Sequence, residues 1–73
     1  MDKTNKKDII ADAALKCYLN SSYSGTSMDD IVKASGMSKG GIYWYFKSKD
    51  EIFLYIMEKK FEEWQQELTR RID

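Results

Sequence analysis

Apolar residues recur along this chain at intervals of three and four, in four runs separated by short polar or glycine-containing breaks. In the first run Ile10, Ala13, Ala14, Cys17 and Tyr18 share one face, with Ile9 at its margin. Lys6, Lys7, Asp12 and Lys16 lie largely elsewhere. A helix is expected over about residues 4–19, from Thr4 onward, and the turn-rich NSSYSG of residues 20–25 ends it. The second run, TSMDDIVKASG, carries its own boundaries. Thr26 or Ser27 can cap a helix, Asp29 and Asp30 suit a first turn whose amides favour negative charge, and Gly36 stops it after about two turns. Met28, Ile31 and Val32 supply its apolar face.

The third run is ambiguous. In GMSKGGIYWYFKSK two adjacent glycines discourage a helix, and the block from Ile42 to Phe46 has the propensity of a buried strand. On a helical wheel at about 100° per residue the block makes sense differently. Ile42 and Phe46 fall about 40° apart and face inward, Trp44 falls opposite with Gly40 and Gly41 to either side, and Tyr43 and Tyr45 lie on the flanks. Ser38 can cap this third helix, leaving a connection of about three residues after the second. Two short helices joined so tightly within a three-helix core make a helix-turn-helix.

The last run opens with Ser48 and, three residues later, Glu51, the spacing of a capping box. Phe53, Ile56, Met57, Phe61, Trp64, Leu68 and Ile72 then continue the stripe. The helix has about 24 residues and is about 36 Å long, more than residues 1–49 can cover. Phe53, Ile56 and Met57 are expected to pack on the first helix as core. Phe61, Trp64, Leu68 and Ile72 are expected to be uncovered. The fold class is therefore all-α: a three-helix bundle with a homeodomain-like helix-turn-helix and a long fourth helix.

With 73 residues the chain is at most one small domain, and residues 1–73 are read as one. A single cysteine excludes an internal disulfide, and the absence of histidine makes a metal fold untenable. No signal peptide or apolar span is visible, so a cytoplasmic location without membrane attachment is expected. Formal net charge is zero, but it is unevenly spread. Residues 1–49 hold eight lysines against five aspartates, a net of +3, and residues 50–73 balance this with −3. Four lysines and no acid lie between Ile31 and Lys49. A basic segment joined to an acidic one points to a polyanion for the first part.

A major groove suits the third helix. Glycines at its start let the backbone approach base edges. Trp44 offers apolar contact to a thymine methyl and an indole N–H to an acceptor, and Lys39 can reach guanine or phosphate. Tyr43 and Tyr45 would meet phosphates on either rim, as would Lys49 beside the amides that open the fourth helix.

The stretch TSMDDIVKASGMSKGGIYWYFKSKDEIF resembles the signature of the tetracycline-repressor (TetR) family of bacterial transcription regulators. Ile42-Tyr43, Phe46 and Lys49 hold the places of its Leu/Ile-Tyr-x-x-Phe-x-x-Lys core, and the likeness spans about residues 8–57. The resemblance implies a homodimer that binds a palindromic operator on double-stranded DNA through its first four helices. It also implies a C-terminal domain, absent here, that takes a small-molecule inducer and moves the fourth helix. On that implication the chain is the DNA-binding portion of a longer regulator, with no cofactor of its own. Carried over by position, the DNA contacts are Ser27, Ser38, Lys39, Gly40, Tyr43, Trp44, Tyr45 and Lys49. The family often has glycine after the first helix where this chain has Ser22, so that helix end is expected to form differently. Paired Gly40 and Gly41 leave few side chains for base readout.

Other readings draw less from the residues. GMSKGG lacks the GxxxxGK[ST] order of a phosphate loop, and no strand precedes it. Cys17 on an apolar face reads as an inert buried thiol. Lys33, Lys47 and Lys59 read as solvated. No acid–base pair supports an enzyme. A protein-interaction module built on the long amphipathic fourth helix is the alternative to DNA binding.

Overall fold

The computed structural model describes residues 5–72, with side chains as far as residue 68, as four helices: α1 (Lys6–Ser21), α2 (Met28–Ser35), α3 (Lys39–Tyr45) and α4 (Lys49–Ile72). Helix α1 packs on both α2 and α4, and α2 packs on α3. Each helix sends one fully buried isoleucine to the centre: Ile10, Ile31, Ile42 and Ile52. Ala11, Ala14, Tyr18, Phe46 and Ile56 complete the core. Alanines on α1 keep side-chain bulk low where two neighbours press against it, so a chain of this size closes around four β-branched residues.

Most boundaries follow from local chemistry. The Asn5 side chain accepts the Asp8 amide at 2.9 Å and caps α1, one residue past the expected start at Thr4, which lies outside the described residues. Ser27 and Asp30 form a reciprocal capping box on α2, and Gly36 ends that helix at φ 75°. The α2–α3 connection is residues 36–38, the three residues expected. Ser38 caps α3 through the Gly41 amide at 3.0 Å. Phe46 is already the extended C-cap, so α3 has seven residues and ends before the last member of the inward pair.

Two expectations for α4 are corrected. On α4 the buried register is Ile52 and Ile56, whereas Phe53 and Met57, expected in the core, are 40% and 49% exposed. Ile52 lies one position off the stripe read from the sequence, and Phe53, though 40% exposed, still meets the Tyr18 ring of α1 edge-on with centroids 6.2 Å apart. Phe61, Trp64 and Leu68 are exposed as expected, and the Ile72 side chain lies outside the described residues. At the start of α4 the Ser48 hydroxyl accepts the Glu51 amide at 3.3 Å, but the Glu51 carboxylate takes the Lys47 amide at 2.7 Å instead of closing a box on Ser48. Finally, Ser22 ends α1 at φ 68°, ψ 165°, a backbone region that glycine adopts freely and serine rarely does. A serine thus holds this glycine-like bend, and its hydroxyl accepts the Gly25 amide at 3.1 Å.

Lys59 is not merely solvated. Its ammonium lies 3.0 Å from Asp8, which also accepts the Tyr55 hydroxyl at 2.6 Å, so α1 and α4 are tied through one carboxylate. These bonds, Tyr55 foremost and then Lys59, hold the Asp8 carboxyl below its usual range. Cys17 is half-buried, and burial raises its thiol pKa, as suits an unreactive side chain. Among the described residues no helix is long and apolar enough to cross a membrane.

Candidate nucleic-acid interface

Helix α3 divides sharply between its two sides. Ile42 is fully buried and Phe46, just past its end, nearly so, which fixes the helix rotation against the shared core. Opposite them Trp44 is 77% exposed, the indole standing free of the core. Gly40 is exposed, and a Cβ built there would meet nothing within 4 Å. The fold therefore has no need of glycine at 40. Gly41 is different: a Cβ there would come within 3.1 Å of the Ser38 hydroxyl that caps the helix. The outward surface of α3 is thus bare backbone at its start and one large ring a turn later.

The other expected residues surround this face unevenly. Ser27 and Ser38 are exposed but occupied as caps of α2 and α3. The bonds from Ser27 hold the Asp30 carboxyl below its usual value. Tyr43 is half-buried on one flank, and its carbonyl accepts the Lys47 ammonium at 2.7 Å, so Lys47 closes the C-terminal end of α3. Lys47 was read as solvated; the unpaired carbonyls at a helix end explain why it folds back. Tyr45, on the opposite flank, packs against the core.

Lys39 projects into solvent but lies 3.6 Å from Asp29 at the start of α2. Both side chains are well exposed, so the pair is weak. It nonetheless places an acid beside a stretch that is acid-free in sequence, which only the tight α2–α3 turn reveals.

Lys49 stands apart from the rest. It is half-buried, and its ammonium donates to the carbonyls of Tyr23 at 2.8 Å and Thr26 at 2.9 Å. The centre of the Tyr23 ring lies 4.4 Å away. Ser27, Ser38, Lys39, Gly40, Gly41, Tyr43 and Trp44 thus lie on α2, α3 and their caps, with the Lys39–Asp29 pair bringing the starts of the two helices together, whereas Lys49 turns toward the α1–α2 turn. No spacing rule could have paired residues this far apart in sequence.

The sequence profile of the family described as bacterial regulatory proteins, tetR family, matches residues 10–56. Those limits, Ile10 and Ile56, are the first and last residues of the buried core. The chain is 36% identical over 63 residues to the HTH-type transcriptional regulator QacR of Staphylococcus aureus, covering 86% of this chain and 34% of that protein. It is 43% identical over 49 residues to the HTH-type transcriptional regulator AcrR of Shigella flexneri, covering 67% and 23%. Identity to the biofilm operon icaADBC HTH-type negative transcriptional regulator IcaR of Staphylococcus epidermidis is 34% over 55 residues, covering 75% and 30%. The chain thus spans about a third or less of the length of these relatives.

Proposed function

Because the chain belongs to the tetR family of bacterial regulatory proteins, we propose that it is the DNA-reading head of a transcriptional regulator, most simply a repressor. The observation that carries this reading is the outward side of α3: bare backbone at Gly40, then a free indole at Trp44, on a helix whose inward side is locked by Ile42 and Phe46. A helix in the major groove needs such a side. Gly40 allows close approach, Trp44 meets thymine methyl or a base acceptor, and Tyr43 and Lys39 reach the groove edge. Ser27 and Ser38 sit where the ends of α2 and α3 meet the backbone, their hydroxyls still able to donate to phosphate while accepting as caps. The function is binding, with no catalytic step.

In this reading the operator is palindromic and the working form is a cytoplasmic homodimer, released when a small molecule binds a part of the regulator outside these residues. The exposed stripe of Phe53, Met57, Phe61, Trp64 and Leu68 supports a second reading, a protein contact along α4. The two are told apart by salt. DNA binding falls steeply as salt rises because counterions are released, and an apolar contact does not.

The test is selection from random duplex DNA at low salt, followed by sequencing. The expected result is a short shared half-site, with Tyr43→Ala and Lys39→Ala weakening binding in chains that remain helical. Binding indifferent to salt, or unaltered by both substitutions, would overturn the reading.

A further inference from the structure

Position 49 carries a lysine with the wrong sign for its place. It is the first residue of α4, where exposed amides disfavour a cation, and Asp50 and Glu51 already supply that turn with negative charge. Its side chain leaves the helix end and crosses to the α1–α2 turn, where it donates to the carbonyls of Tyr23 and Thr26. An ammonium has three donors, and two are used here, with the face of Tyr23 beside the charge. The backbone of Lys49 is held as well: its carbonyl accepts the Tyr18 hydroxyl at 3.0 Å. Burial, followed by the charges of Asp50 and Cys17, pushes the Tyr18 phenol up to about 12, so it remains a donor throughout the ordinary pH range.

The turn that Lys49 grips is the one that sets α2. Thr26 is almost completely buried, its hydroxyl donates to the Ser22 carbonyl at 2.8 Å, and its amide donates to the same Tyr23 carbonyl that Lys49 holds. The next residue, Ser27, is the cap of α2. A displacement of the turn therefore moves the start of α2 and, through residues 36–38, the reading helix.

The geometry points to Lys49 as a positioning residue for DNA binding: it staples the start of α4 to the Tyr23–Thr26 turn, and so fixes α2 and α3 against α4, instead of donating to phosphate. This rests on the DNA-reading function proposed above, and it departs from the phosphate contact expected of Lys49 from the family resemblance.

The test compares wild type, Lys39→Ala, Lys49→Met and Lys49→Arg on a short mixed-sequence duplex, with affinity followed from ~50 to ~200 mM salt. Removing a phosphate contact lowers the slope of log affinity against log salt by about 0.9. Lys49→Met is expected to lose affinity several-fold with the slope unchanged, and amide exchange at Thr26 is expected to quicken, because its acceptor carbonyl is no longer pinned. Should Lys49→Met fail to fold by circular dichroism, Lys49→Arg decides. Arginine holds phosphate at least as well as lysine, so a phosphate role predicts undiminished binding. A positioning role predicts a loss, because a longer side chain with a planar head cannot keep the ammonium's two short bonds to the Tyr23 and Thr26 carbonyls without moving the turn. A reduced slope in Lys49→Met, full binding by Lys49→Arg, or affinity unchanged in Lys49→Met would overturn the proposal. Failure of the wild type to bind the duplex would instead overturn the DNA reading itself.

Discussion

The α2–α3 pair, the reading unit of the proposed function, and the α1–α4 scaffold are held by different kinds of bond. Within the reading unit the side-chain hydrogen bonds are short-range, and one longer bond, from the Cys17 thiol to the Asp30 carbonyl at 3.8 Å, ties α2 to α1. Ser27 pairs with Asp30, Ser35 with Val32, Ser38 with Gly41, and Lys47 with Tyr43, all within four residues. In the scaffold they join residues far apart: Tyr18 with Lys49, Lys49 with Tyr23 and Thr26, Tyr55 and Lys59 with Asp8. The reading unit therefore takes its shape from local chemistry and its orientation from elsewhere. A helix as short as α3 cannot persist on its own hydrogen bonds, and the isoleucine core makes the two regions one.

The largest effect should come from cutting that shared core. Ile42→Ala removes the reading unit's anchor and Ile52→Ala the scaffold's, and both residues are fully buried. Each is expected to cost about 2–5 kcal/mol, much of the stability available to so small a domain. In urea melts followed by helix signal and by tryptophan fluorescence, each variant should show one coincident transition. Separate transitions for the two probes would mean that the regions fold independently, and the comparison would become one between two units.

Glycines sharpen the contrast at smaller cost. Gly36→Ala forces a side chain to φ 75° and is expected to destabilise by about 1–2 kcal/mol, although nothing blocks the new Cβ. Gly40→Ala has open space and ordinary helical backbone, so it should stabilise by up to about 1 kcal/mol. On the proposed function the same change should weaken binding to the selected half-site, because the added methyl would stand where the groove comes close. A stabilised chain with undiminished binding would show that position 40 does not face DNA.

These differences explain what could be read in advance. Ser38 as a cap, Gly36 as a stop and the inward pair Ile42 and Phe46 announce themselves locally, and the structure has them as expected; of the two cap candidates Thr26 and Ser27 it takes Ser27, in a box with Asp30 that was not foreseen. Trp44 was legible as the outward ring because it falls opposite that inward pair. The α4 register was not, because Phe53, Met57, Phe61, Trp64 and Leu68 form a longer apolar stripe than Ile52 and Ile56. Sequence alone cannot say which of two stripes is buried. Lys47, Lys49 and Lys59 were opaque for a related reason: a lysine's reach is about as long as a helix is wide, and its partner depends on packing. Lys49 matched its family position and still turned toward a partner that the pattern does not contain.

Acid is expected to loosen both regions by different bonds. Asp8, in the scaffold, has its folded pKa lowered by Tyr55 and Lys59, and Asp30, in the reading unit, by Ser27. A depressed carboxylate stabilises the fold above its unfolded value, near 3.8, and that contribution is lost as pH falls through the lower folded value. Stability measured by thermal melts should decline below about pH 4. Asp8→Asn and Asp30→Asn should each flatten part of that decline. If Asp8→Asn left the acid limb unchanged, the α1–α4 tie would contribute nothing to stability.

The smallest structural effect should come from Asp29→Asn, and it separates folding from reading most cleanly. Asp29 pairs with Lys39 across 3.6 Å of solvent-exposed space, and such pairs contribute little, so stability should change by less than about 1 kcal/mol. Binding should respond more. The substitution releases Lys39 and removes a negative charge beside α3, both of which favour an approaching phosphate backbone. Affinity for duplex DNA is expected to rise at low salt, and the gain should shrink as salt rises and screening shortens the reach of both charges. Unchanged affinity at low salt would mean that neither Lys39 nor the start of α2 lies near the phosphates. The reading unit would then have to meet DNA through Trp44 and the bare start of α3 alone.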